Sequence, residues 1–181
     1  MLDAAADAVV ARGWAGLRLA AVAARAGVSR QTVYNVFGGK DGLARALTDR
    51  TATEFLDGLE RALRSEVDIG RQLAAAVGDA LHRAAETPLL KAFLVHENSD
   101  QFLPLLTSDG ESIVGGARDR IAAGLADLHP RLDRRRVDVA AESVTRLILS
   151  HIVLPLHPPD VVADQIAEIG VAVATPSRRS T

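Results

Sequence analysis

The sequence predicts an all-α protein, a small helical head followed by a larger helical body. Apolar residues recur at helical spacing along the chain, and no stretch alternates apolar and polar residues for more than a few positions. Prolines stand at the gaps between periodic stretches, at Pro88, Pro104, Pro130, Pro155 and the pair Pro158-Pro159, where a missing N–H does least harm. With 181 residues, 48% of them hydrophobic, and a mean hydropathy of +0.12, the composition excludes a disordered chain.

Leu2, Ala6, Val9 and Val10 make the expected inner face of a first helix, which Gly13 ends, with Trp14 dropping onto the core of the head. A second helix, Leu19 to Ala26, buries Leu19, Val22, Ala23 and Ala26 and stops at Gly27, which supplies a positive φ. Ser29 can then cap a third helix by accepting a backbone N–H bond. There Val33, Val36 and Phe37, at i, i+3 and i+4, are expected to face inward, leaving Arg30, Gln31, Thr32, Tyr34 and Asn35 on the polar sides. Helix four begins near Gly39, where Asp41 suits the positive helix start, and Leu43, Leu47, Phe55, Leu59 and Leu63 carry it to about Ser65.

Five more helices are expected, near Ile69 to Ala85, Pro88 to Asn98, Gly110 to Leu128, Arg134 to Leu154 and Asp160 to Ala174, about nine in all. Gly115, Gly116 and Gly124 fall inside one of them and cost roughly 1 kcal/mol each against Ala, so close packing or a bend is expected there. The expected divisions are a head at 1–46, a body at 47–174 and a flexible tail at 175–181.

The net charge of −2 is unevenly divided. Residues 1 to 50 hold seven Lys/Arg against four Asp/Glu, net +3, while residues 51 to 181 hold fourteen against nineteen, net −5. A basic head can meet phosphate on an acidic protein because its field is local, screened beyond about 8–10 Å. The chain has no Cys, which excludes disulfides and thiolate metal sites. Asp3 and Asp7 stand where a signal peptide is positive, and no apolar run approaches the ~18 residues of a membrane span, so a cytoplasmic protein with no membrane partner is expected.

The segment from Gly27 to Lys40 therefore reads as a helix-turn-helix whose second helix is slim, polar and suited to a major groove. Arg30, Gln31 and Asn35 are the residue types that form paired hydrogen bonds with guanine or adenine edges. Thr32 and Tyr34 offer hydroxyls for phosphate oxygens, and Lys40 joins its ammonium to the positive start of helix four as a phosphate clamp.

Ser29-x-x-Thr32-Val33-Tyr34-x-x-Phe37-x-x-Lys40-x-x-Leu43, preceded by Val22-Ala23-x-x-Ala26-Gly27-Val28, resembles the N-terminal signature of the TetR family of bacterial transcriptional regulators. The resemblance covers about the first fifty residues, and the rest agrees only in length and helical pattern. It implies a homodimer on a pseudo-palindromic double-stranded DNA operator, most often a repressor, with the body binding a small-molecule effector. The family usually places Thr or Ser at the positions of Leu17 and Arg18, so the cap of helix two is lost here, and Arg18 is expected to replace its phosphate contact through charge. The expected DNA-binding set is thus Arg18, Ser29, Arg30, Gln31, Thr32, Tyr34, Asn35 and Lys40.

In the body the resemblance implies a cavity walled by Phe93, His96, Phe102, Leu105, Leu106, His151 and Ile152, and hence a mainly apolar effector. Apolar stripes on the last two helices (Val137, Ala141, Val144, Ile148 and Ile152; Val162, Ile166, Ile169 and Val173) suit either the body's own core or a second copy. The resemblance favours the second, with Val144, Ile148, Ile166 and Ile169 at the dimer seam.

Gly38-Gly39-Lys40 is no phosphate loop, because Tyr34 stands where the first Gly is needed and Asp41 where Ser or Thr binds Mg²⁺. There is no G-x-S-x-G or H-E-x-x-H, and His82, His96, His129, His151 and His157 share no helical spacing. No enzyme activity, cofactor or metal is expected. The competing class is a helical small-molecule-binding protein or enzyme that retains a vestigial head.

Overall fold

The computed structural model describes residues 1–89 and 113–175, and among these it contains eight helices and no strand. In chain order they are α1 (Leu2–Arg12), α2 (Leu19–Ala26), α3 (Arg30–Phe37), α4 (Lys40–Leu63), α5 (Ile69–Glu86), α6 (Ile113–Leu128), α7 (Arg134–Val153) and α8 (Pro159–Ala174). The helix expected over Pro88 to Asn98 lies outside the described residues beyond Leu89, as do residues 110–112 and the tail beyond Thr175. No described helix is long and apolar enough to cross a membrane.

Two compact units divide the chain within α4, between Glu54 and Phe55. The first unit is built from α1, α2, α3 and the first part of α4, with the described residues from Thr87. Ala5, Val9, Leu17, Val22, Val33, Leu43 and Leu47 are buried at its centre, and Trp14 and Phe37 pack on them half-buried. Exposed ion pairs tie the neighbours of α1 to it, Arg25 to Asp7 and Arg50 to Asp3, each at 2.6 Å, for about 0–1 kcal/mol apiece.

Two inward assignments fail in this unit. Val10 is 45% and Val36 56% exposed. The core-facing stripe of α1 runs through Ala4, Ala5 and Val9, which leaves Val10 off it. The short α3 has only Val33 fully buried, with Phe37 a turn later beside the core, so Val36 lies off that narrow stripe.

The second unit packs α5, α6, α7, α8 and the end of α4 around Leu59, Leu63, Leu73, Val77, Ile121 and Leu125. Helices α7 and α8 run antiparallel: Arg136, near the start of α7, donates to the carbonyls of Thr175 at 2.7 Å and Ala172 at 3.5 Å, closing the C-terminal end of α8. Helix α6 runs alongside α4 with repeated contacts. A Cβ on Gly116 would lie 3.0 Å from Leu56 and one on Gly124 2.5 Å from Leu63, whereas Gly115 has open space. Asp57 pairs with Arg120 at 2.6 Å and Arg64 with Asp127 at 3.1 Å. Hydrogen bonds that Arg64 donates to Asp127 and then Glu60 hold its guanidinium above its ordinary pKa. Close packing thus accounts for two of the three helical glycines.

Val144, Ile148 and Ile166 are 0%, 4% and 2% exposed and pack into the core of this unit. Four helices and the end of a fifth enclose the core only if α7 and α8 turn their main apolar stripes inward. Of the expected seam residues, Ile169 alone remains on the surface, at 45% exposure.

Candidate nucleic-acid interface

The turn is formed as the sequence leads one to expect. Gly27 takes φ 67° and ψ 27°, a left-handed conformation that a side chain would disfavour, and Val28 N–H bonds back to Ala23 O at 3.0 Å. Ser29 is extended, and its Oγ accepts the Thr32 N–H at 3.0 Å. The Ser29 and Thr32 hydroxyls lie 2.8 Å apart. Only one hydroxyl hydrogen is used between them, so the pair keeps one O–H for a phosphate.

Burying Val33 against the head leaves Arg30, Gln31, Thr32, Tyr34 and Asn35 exposed on α3. Gln31 Nε2 donates to Asn35 Oδ1 at 2.8 Å across one helical turn. This fixes the orientation of the Asn35 amide and leaves both Nδ2 hydrogens and a second Oδ1 lone pair for a base edge. Lys40 Nζ donates to Ala15 O at 3.3 Å, binding the start of α4 to the turn after α1. An ammonium has three donors, so a phosphate contact stays open to it.

Arg18 precedes α2 in extended conformation and makes no side-chain cap, as its residue type dictates. Arg12, Arg18, Arg30, Lys40 and Arg45 form no ion pair among the described residues. The positive charge of the head is therefore mostly free to meet an anion.

One residue that supports this surface escaped the sequence reading. A Cβ on Gly42 would stand 1.8 Å from Phe37 O, so only glycine lets the first turn of α4 pass the end of α3. A glycine within the first turn of a helix was the available signal.

The expected effector wall is only partly described. Phe93, His96, Phe102, Leu105 and Leu106 lie outside the described residues. His151 is half-buried and donates from Nδ1 to Leu147 O at 2.9 Å, while Ile152 packs against the core of the second unit. A groove of about 460 Å³ runs elsewhere, between the start of α5 and α8, lined by Asp68, Arg71, Ala74, Asp164, Glu168 and Val171 among others. It includes neither His151 nor Ile152.

Residues 1–47 match the family described as bacterial regulatory proteins, tetR family, and residues 68–172 match the bacterial tetracyclin repressor C-terminal domain. The HTH-type transcriptional regulator AlkX of Mycobacterium tuberculosis (strain ATCC 25618 / H37Rv) is 29% identical over 170 residues, spanning 93% of this chain and 81% of that protein. The crystal structure of the TetR family repressor AlkX from Dietzia sp. strain DQ12-45-1b, implicated in biodegradation of n-alkanes, is similar with a TM-score of 0.72 and 26% identity, over 93% of this chain and 92% of that one. SmeT, the repressor of the Stenotrophomonas maltophilia multidrug efflux pump SmeDEF, shares the fold with a TM-score of 0.62 at 21% identity, over 98% of this chain and 89% of the other. With both parts of the chain matched and the capped turn in place, this protein belongs to the TetR family and is a helix-turn-helix, DNA-binding transcriptional regulator.

Proposed function

We propose that the protein is a repressor that binds a pseudo-palindromic operator as a homodimer and is released by a small, mainly apolar effector. The observation that carries the DNA side is the exposed face of α3, where Arg30, the Gln31–Asn35 amide pair and the hydroxyls of Thr32 and Tyr34 follow a capped turn. Two such heads reading adjacent major grooves require half-sites about 34–36 Å apart. Arg18, Ser29 and Lys40 serve the phosphates on either side.

A second copy would pack on the outward faces of α7 and α8. Val139 and Ile169, at 49% and 45% exposure, and Val161, at 48%, are among the apolar residues available for it. The association of the Dietzia relative with n-alkane degradation supports an apolar effector. Such a ligand would act through α4, the helix whose residues belong to both units.

Selection of genomic fragments on the immobilised protein tests the proposal. Recovery of one palindromic sequence, with binding weakened by a long-chain hydrocarbon or its oxidised derivatives, is expected. Weak binding without sequence preference would overturn the operator reading. A recovered operator whose affinity no apolar compound alters would overturn the effector alone.

A further inference from the structure

Val36 has no structural task that explains it. It is 56% exposed on a helix of only eight residues, it is absent from the apolar cluster of the head, and valine is a poorer helix former than alanine. Thr32, one turn earlier on the same side, has its hydroxyl turned to Ser29 Oγ at 2.8 Å. Asn35 is its immediate neighbour, held by Gln31. An apolar side chain therefore stands exposed beside Thr32 and Asn35, near the C-terminal end of the helix offered to DNA.

A major groove presents polar edges almost throughout, and its one apolar feature is the C5-methyl group of thymine. Against any other base edge, a valine strips water from donors and acceptors and returns no hydrogen bond. We propose that Val36 is a specificity-determining residue that reads a thymine methyl group in each half-site. The assignment rests on the operator reading above and adds a base preference that no hydrogen-bonding residue of α3 supplies. Val36 then selects for thymine by burying two methyl surfaces and against cytosine by leaving its amino donor facing a side chain that cannot accept.

Replacing thymine by deoxyuridine removes that methyl group and nothing else. Duplexes would first be selected by the full chain from a random-sequence pool. Each thymine would then be replaced in turn by deoxyuridine, and binding measured for the wild type and for Val36→Ala. At one thymine per half-site, the wild type should lose about fourfold in affinity, the value of one methyl removed from water. Val36→Ala should bind the thymine duplex that much more weakly and show no further loss with deoxyuridine. Circular dichroism should find the variant as helical as the wild type. Indifference of the wild type to every deoxyuridine, or equal sensitivity in Val36→Ala, would overturn the assignment while leaving DNA binding intact. A chain that selects no sequence at all would overturn both it and the operator reading.

Discussion

Asn35 is held in one orientation within α3 itself. Its Oδ1 accepts from Gln31, so the amide plane is set and its rotamer freedom is already spent. Asn35→Ala should cost about 1–3 kcal/mol on the selected sequence and relax preference at one base position. Tyr34→Phe should weaken all sequences alike. Binding to a panel of single-base operator variants checks both, and a changed preference in Tyr34→Phe with none in Asn35→Ala would reverse the roles. Lys40 holds Ala15 O and also faces outward, so its variant separates two roles. If it neutralises a phosphate, Lys40→Ala lowers the slope of log affinity against log salt by about 1. A lower melting temperature with an unchanged slope would make it a tether only. Gly42→Ala sets a methyl group against Phe37 O, so overpacking should cost roughly 3 kcal/mol and lower both the thermal midpoint and DNA affinity. A variant that melts like the wild type would show that α3 and α4 can separate freely.

At the scale of the element, the antiparallel pair α7–α8 carries two apolar surfaces with different uses. The inner one, including Val144, Ile148 and Ile166, is consumed by the core, and the outer one, with Val139 and Ile169, is open. An Asp at each surface should therefore fail differently. Ile148→Asp buries a charge without a partner, costs several kcal/mol and should leave little folded protein. Ile169→Asp should keep the thermal midpoint within a few degrees while shifting the dimer toward monomer in sedimentation velocity. A fully dimeric Ile169→Asp protein would remove α8 from the interface.

For the whole molecule, control is a matter of linkage. A ligand lowers DNA affinity only by as much as it prefers the DNA-incompetent state, and a coupling of about 1–3 kcal/mol corresponds to roughly a 5- to 150-fold loss. The operator must weaken effector binding by that same factor. Calorimetry of one apolar effector with and without operator duplex measures it directly. Equal affinities would leave a DNA binder with no sensor function.

Much of the head was legible from residue type and spacing alone. Gly27 ends one helix, Ser29 caps the next, and Arg18 leaves a helix start without a side-chain cap, because each effect acts within a few residues of its cause. The helix boundaries of α5, α7 and α8 were readable for the same reason, being set by local periodicity, prolines and caps. What periodicity could not decide was which side of an apolar stripe would find a partner. Val10 and Val36 continue stripes that the sequence assigns inward, yet the width of the buried face is fixed by how many neighbours reach it. Val144, Ile148 and Ile166 suited a seam or a core equally well, and only the closure of α7 and α8 over the second unit assigned them inside. Gly42 depends on the approach of Phe37 O, and the hold on Asn35 depends on the side-chain conformation of Gln31. Local chemistry therefore determined the elements and the residue types on the reading helix, while tertiary packing decided which of those side chains faced solvent and which were consumed by the core, because burial is a property of neighbours and not of sequence spacing.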